Sequence, residues 1–465
     1  MRKSRAPYSG GHHADVRRAA CLSLIGLFTA ATTAVAQPVV SFVDVQAGPV
    51  RGGPGGLGTP IGIFGDNFGT ERGTSRVLIG GREVASYLAW GTKNAANPAL
   101  DMIVVQPGPN VRGGKVTVEA GGKASASTQT FRPAKGRIFA VAPGGTDAAR
   151  CTIPAPCLTI QHAIDSVLKP GDTLLVRGGP VADDEIWVRP EHGGTAARPI
   201  TIRNYPGERP TLSKVTRPFI VSASHISVSG FDFLGGKSIG LGTETTTDVR
   251  LANSTFVGNL GFDAVGTHGD GVLVGGNLCD ARGSSVGTQG HCFYISHGHG
   301  IRIVGNVGRG APGYGIHIFD QERSSDDIKR EITNVVVEGN TMSGSTERSG
   351  LIVAMGDEGN RGNHISGVTI RGNTFTGNNF AGVAIGGNVS GVRIVGNTFR
   401  NNGRQGVTIY DESTISDVQV TGNVIQQPKH GPCRSNCSWY PVTQVQVGAK
   451  AKAVVVRSNR LFGGP

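Results

Sequence analysis

Histidine, tyrosine and carboxylate side chains crowd into one stretch of this chain, and their spacing follows a repeat. Five of the 12 histidines, His268, His291, His297, His299 and His317, fall between residues 263 and 323. The short runs Phe293-Tyr294-Ile295 and Ile316-His317-Ile318 share one pattern, apolar at the first and third places and polar in the middle. As neighbouring strands they would set Tyr294 beside His317 on the outer face and bring His297 next to Asp320 at the strand ends. His268 and Asp270 belong to the preceding copy, where Phe262-Asp263-Ala264-Val265 threads in either of two registers. Tyr410, Asp411 and Glu412 occupy the same strand end further along. A neutral imidazole can take a proton, a phenol can return one, and a carboxylate beside a histidine orients and charge-stabilises it. His317 and His297 are therefore the candidate bases, Tyr294 the candidate acid and Asp320 the orienting carboxylate. His268, Tyr410 and Asp411 are candidates for holding a substrate.

A charged insert, residues 321–330, adjoins this patch and lengthens its repeat. Arg323 is the candidate clamp for a substrate carboxylate, with Lys329 and Arg330 as further cations. Asp326 and Asp327 offer hard oxygen ligands, which makes calcium a candidate cofactor. No His-Glu-x-x-His motif occurs, so a transition-metal site has no sequence signature. Histidines scattered through Gly-rich turns are also an ordinary surface property, as is a solvated charged loop.

The elements that must position these residues are repetitive. Val-Val-Val-Glu-Gly-Asn ends at Asn340, Val-Thr-Ile-Arg-Gly-Asn at Asn373, Val-Arg-Ile-Val-Gly-Asn at Asn397 and Val-Gln-Val-Thr-Gly-Asn at Asn423. Each is an alternating apolar run closed by a turn, and the closing Asn residues from Asn306 to Asn459 recur every 24 to 36 residues. Such a period with β-type alternation and 73 glycines predicts a stacked solenoid. A second strand recurs in each coil, at Leu351-Ile352-Val353, Val383-Ala384-Ile385 and Val407-Thr408-Ile409, whose middle residue should point to solvent. The Asn residues are read as scaffold, forming an amide ladder or taking a left-handed turn conformation. The predicted fold is all-β: a right-handed parallel β-helix over residues 134–465, preceded by a small immunoglobulin-like β-sandwich over residues 37–133.

Ahead of both lies a predicted export signal, residues 1–36, in which Arg17-Arg18 precedes an apolar run ending Ala34-Val35-Ala36. Removing it takes the formal charge from +12 to 40 basic against 32 acidic residues. That excess suits an acidic polymer, and with no nucleic-acid module in the chain the expected partner is an acidic polysaccharide and not DNA or RNA. No other stretch is long and apolar enough to span a bilayer, so the mature chain is expected secreted or periplasmic without membrane insertion. The six remaining cysteines fit an oxidising compartment, with Cys151/Cys157, Cys433/Cys437 and Cys279/Cys292 as candidate bridges and zinc as the competing reading.

Between residues 138 and 176, Thr159 opens a short amphipathic helix, with Ile160, Ala163, Ile164, Val167 and Leu168 on one face and Pro170 as its stop. A helix near 159–168 can cover the open first coil. Gly62-Ile63-Phe64-Gly65-Asp66-Asn67-Phe68-Gly69, with Val77, Trp90 and Phe131, resembles the IPT/TIG immunoglobulin-like family, which implies a docking or spacing module without chemistry. Pro143-Gly144-Gly145-Thr146, Pro156-Cys157-Leu158-Thr159 and Pro170-Gly171-Asp172-Thr173, together with the Gly-Asn coils, resemble secreted β-helix proteins of the pectate-lyase superfamily. That resemblance implies the fold and leaves the reaction open. The leading expectation is a polysaccharide lyase acting by β-elimination on a uronate-containing polymer. The alternatives are a non-catalytic carbohydrate-binding or adhesive solenoid, and a glycoside hydrolase using Asp263, Asp270 and Asp320.

Overall fold

The computed structural model describes residues 36–94, 100–213, 218–235, 239–243, 245–258, 263–284, 287–319, 330–356, 362–426 and 444–463. Three long sheets of 13, 11 and 10 strands form the three walls of a solenoid. Each coil contributes a strand to successive walls, and every pairing between coils is parallel, as in Leu351↔Val383 and Val383↔Val407. Apolar residues stack in register along the inside. In the first wall Ile202, Val228, Leu251, Val274, Ile303, Val337, Ile370, Ile394 and Val420 are aligned from coil to coil. All nine are buried, each contributing about 1.5–3 kcal/mol by leaving water. In the second wall Phe233 stacks on Phe256, and Phe375 on Phe399.

The Gly-Asn turns divide their work between the two residues. Gly305, Gly339, Gly372, Gly396 and Gly422 take the left-handed conformation, with φ between +63° and +66°. The Asn residues do not; their side chains form the ladder instead. In each rung Oδ1 of one Asn accepts from the backbone N–H of the preceding Asn, from Asn277 through Asn306, Asn340, Asn373, Asn397 and Asn423 to Asn459, at 2.8–2.9 Å. Each Nδ2 from Asn306 to Asn423 also donates to a strand carbonyl of the coil before and to the next Asn. Backbone groups that a buried turn would leave unpaired are thereby satisfied.

The first coil is closed by a helix at Ile160–Ser166, one turn shorter than the sequence pattern predicts, with Val167 and Leu168 beyond its end. Thr159 caps it by accepting from the His162 N–H, and Asp183 accepts from the N–H groups of Ile160 and Gln161. Ile160, Ala163 and Ile164 join the solenoid core, so the helix lids the open end. Disulfides link Cys151 to Cys157 and Cys279 to Cys292, so these four sulfurs are not thiolates for zinc. Cys433 and Cys437 lie outside the described residues, as do residues 1–35 of the expected export signal 1–36 and Asp326-Asp327. Among the described residues no helix is long and apolar enough to cross a membrane.

The N-terminal region is a small β-sandwich of a four-stranded and a six-stranded sheet, antiparallel except where Thr130–Pro133 runs parallel to Ala47–Gly48. Its core holds Ile61, Ile63, Val77, Ile103, Val116 and Phe131. The sandwich shares a buried seam with the first wall of the solenoid. Phe42 stacks on Phe64, and both pack with Leu100 against Ala252, Leu273 and Val304. A Cβ at Gly275 would come within 2.9 Å of the Phe42 ring, which keeps that position bare. Within the same seam Arg203, 2% exposed, lies 3.2 Å from the fully buried carboxylate of Asp44.

Candidate functional site

The outer face of the third wall carries one aligned column, Trp187, Ile220, Gly240, Gly266, Tyr294, His317, Ile352, Ala384, Thr408 and Gln446. Tyr294 and His317 are direct partners, with rings stacked 4.9 Å apart at 24°. The column is less open than alternation alone predicts: Ile352 is 6% exposed, and Ala384 and Thr408 are fully buried. Ile352, Ala354 and Ala384 form an outer apolar cluster with Tyr314, Phe319 and Tyr410 packed against it.

Where the histidine column meets this cluster there is a cleft of about 360 Å³, lined by Asp263, Thr288, Gln289, His291, Tyr294, Tyr314, His317, Phe319, Arg348 and Ile352. His317 is its centre. Its ring stacks on Tyr294, Tyr314 and Phe319, with centroids 4.9, 4.9 and 5.0 Å away. His291 lies 4.2 Å from it, and Nδ1 of His291 accepts the backbone N–H of Tyr314 at 3.0 Å. The Cys279–Cys292 bridge anchors the residue next to His291. Nδ1 of His317 is buried without a hydrogen-bond partner among the described residues.

The electrostatics follow from enclosure. Burial holds His317 well below its ordinary pKa, with the neighbouring His291 and the Arg348 charge adding to the effect. Burial, then Arg348, lowers His291 to about 4. Both imidazoles are neutral near pH 7. Asp263 is pushed up to about 8 by burial, so its carboxyl is protonated there. Tyr314 is raised by burial and only partly offset by Arg348. The cleft therefore combines neutral bases, phenols and one guanidinium, with little net negative charge. Such a set can take a proton, return a proton and hold an anion.

Of the residues singled out from sequence, Tyr294 and His317 come together in the cleft. His297 and His268 do not line it. His297 follows the strand at its other end, with Nδ1 buried and without a hydrogen-bond partner among the described residues. His268 contacts Oγ of Ser296 at 3.0 Å beside a separate recess. Tyr410 packs on the outer apolar cluster, and Asp411 accepts from the Lys450 N–H and pairs with its ammonium at 3.6 Å. Asp320 and Arg323 lie outside the described residues. The register left open around residue 263 resolves with Asp263 opposite His291 and Gly266 opposite Tyr294.

Sequence reasoning gave no role to His291, Tyr314 or Arg348. A signal was available: Asp263, His291 and Tyr314 each stand two residues before the first apolar member of their strand. Inspecting only the middle positions passes over them. A larger recess, about 540 Å³, lies in another part of the solenoid, with Arg282, Arg309 and several hydroxyls on its walls. Among the described residues its walls offer no base, and Arg282 is already bound by Asp280.

A family model described as the right-handed beta helix region matches residues 275–447. No curated protein matches the chain. Solved structures that resemble it include a rhamnogalacturonan lyase, at 16% identity and a TM-score of 0.43 over 68% of this chain and 86% of that one. An alginate lyase from Paenibacillus sp. aligns at 14% identity and a TM-score of 0.33, over 70% of this chain and 99% of that one. A family 28 exopolygalacturonase from Yersinia enterocolitica aligns at 10% identity and a TM-score of 0.44, over 90% of this chain and all of that one. The matched family model and the stacked parallel walls together identify the solenoid as a right-handed parallel β-helix.

Proposed function

We propose that the chain is an exported polysaccharide lyase that cleaves a uronate-containing polymer by β-elimination in the cleft around His317. The observation that carries this reading is a neutral, enclosed imidazole stacked between tyrosines and facing an arginine charge. In this mechanism Arg348 neutralises the substrate carboxylate and so acidifies the adjacent ring proton. His317 takes that proton, the electron pair forms the new ring double bond, and the glycosidic C–O bond breaks. Tyr294 or Tyr314 gives its proton to the departing oxygen. His291 and Asp263, both uncharged, keep the floor of the cleft free of a negative charge that would repel the substrate.

Hydrolysis by two carboxylates is less well supported. Among the described residues lining the cleft only Asp263 is acidic, and a pair is required. We further assign the N-terminal sandwich to an IPT/TIG-like docking role and residues 1–36 to export. Calcium remains a candidate through Asp326-Asp327.

The test is an absorbance screen against polyuronates and glycosaminoglycans, with and without calcium. New ultraviolet absorbance from unsaturated uronate ends, lost in a folded His317→Ala variant, supports elimination. Reducing ends without absorbance would identify a hydrolase. Polymer binding without either product would make the aromatic cleft a binding site only.

A further inference from the structure

The outer column continues past the cleft towards the helix-capped end, and its composition changes there. Beyond Tyr294 come Gly266 and Gly240, then Ile220, then Trp187. Neither glycine has a positive φ, so the backbone does not demand glycine at either place. Among the described residues, a Cβ built at Gly240 would meet nothing within 4 Å, and one at Gly266 would meet only the Ile239 carbonyl, at 3.8 Å. Glycine inside a strand weakens it and marks a place where something approaches the backbone closely. Among the described residues the result is a bare, partly exposed floor between Tyr294 and Ile220, with Trp187 one strand beyond.

Trp187 at the far end is 40% exposed, unusual for so large an apolar side chain. It is nevertheless held in place. Its Nε1 donates to Ser222 Oγ at 3.1 Å, and its backbone N–H donates to Gln161 Oε1 at 2.7 Å. Arg189 sits over the ring at 5.0 Å and also reaches Asp165 at 3.5 Å. Just past the ends of the two glycine-bearing strands lies a recess of about 460 Å³ lined by Gly242, Thr243, Thr245 and His268.

We infer that this trough is a distal binding groove for the same acidic polymer, running along the solenoid axis from the Tyr294/His317 cleft to a stacking platform at Trp187. The inference rests on the elimination reading for the occupant of the cleft. Four strand steps separate Trp187 from Tyr294, about 19 Å at the usual spacing between strands, which is a span of several sugar residues. Bare glycine floor lets the sugar rings lie flat against the wall. The indole offers an apolar face to the axial hydrogens of a pyranose, and Arg189 would exchange its long, exposed 3.5 Å contact with Asp165 for a uronate carboxylate. His268, which lies outside the cleft, becomes part of the polar side of this groove.

The test is calorimetric binding of oligogalacturonates and oligoalginates of two to eight residues to the full chain carrying His317→Ala to prevent turnover. Trp187→Ala and Gly266→Leu are added in turn. Affinity should rise with length until the oligomer spans the trough. Trp187→Ala should weaken the longest oligomers about tenfold and leave the dimers unchanged, as expected for a tryptophan anchor. Gly266→Leu, whose side chain enters open space, should block the long oligomers selectively. If both substitutions leave long-oligomer affinity within about twofold while dimers still bind, the groove is refuted and the cleft reading stands. If no oligomer of any length binds, the groove and the polyuronate substrate class fall together.

Discussion

The imidazole rings of His291 and His317 lie 4.2 Å apart between centroids, in an enclosure that keeps both neutral. Free histidine titrates near 6.5, so an unfolded chain binds these protons as the pH falls below about 6.5, whereas folded His291 waits until about 4. Over that window the unfolded state holds more protons, and stability therefore falls as the solution is acidified. Asp263 works in the opposite direction. Its carboxyl is protonated up to about 8 when folded and ionises near 3.9 when unfolded, so it costs stability progressively as pH rises between those values. Thermal unfolding of Asp263→Asn across pH 4–8 should show a shallower alkaline decline than the parent protein.

In the proposed mechanism His317 sets the acid limb of catalysis. With His317 held well below its ordinary value, the rate should persist to below pH 6 and not fall with a midpoint near 6.5. A pH–rate profile of kcat/KM on the polymer found in the screen checks this, and a midpoint at 6.5 or above would remove His317 as the base.

His317→Ala should lower kcat by about 10²–10⁴-fold, the usual worth of a positioned general base. Tyr294→Phe keeps the stacked ring and removes only the hydroxyl. If Tyr294 is the acid, its loss should be comparable. If Tyr314 serves instead, Tyr294→Phe will be mild and Tyr314→Phe severe.

Arg348→Ala should reduce kcat/KM about a hundredfold on a uronate polymer, because the carboxylate loses its counter-charge. On a polymer with esterified carboxyl groups the same substitution should matter far less. Equal losses on both substrates would show that Arg348 acts on the fold and not on the substrate.

Asn340→Ala tests the ladder. It removes the acceptor of the Asn306 N–H and Nδ2 and the donor to the Ile303 carbonyl, all within the buried solenoid. The expected cost is about 2–4 kcal/mol, read from chemical denaturation. Asn459→Ala, at the last rung, should cost less, since it is the more exposed end.

Arg203→Ala should destabilise by about 3–5 kcal/mol, because Asp44 would keep a buried charge without its partner. Asp44 also accepts from the Gly62 N–H and Ser229 Oγ, which hold the carboxylate across the seam between sandwich and solenoid. The double variant Asp44→Leu/Arg203→Leu should recover much of that loss. If it does not, the hydrogen bonds and not the charge pair hold the seam.

The solenoid was legible in the chain because each coil repeats a local rule. Alternating apolar residues choose the inward face, and a glycine that can take positive φ followed by an asparagine ends the strand, so stacking needs no information beyond the repeat. The pairing of Tyr294 with His317 follows from that same register. The repeat also marks Asp263, His291 and Tyr314, each two residues ahead of its strand's first apolar member, but the entry of Arg348 and the enclosure of the cleft are three-dimensional contacts that no periodicity encodes. Arg348 enters from a turn one coil beyond His317, Tyr314 arrives from the segment before its strand, and burial sets the charge states of His291 and Asp263. The seam was equally hidden, since residues 44 and 203 are paired by the docking of two units and not by any local pattern. Local sequence determines which face of a strand is apolar. Only the tertiary structure determines what crosses from neighbouring coils to cover the other face, and with it which side chains are desolvated enough to change their chemistry.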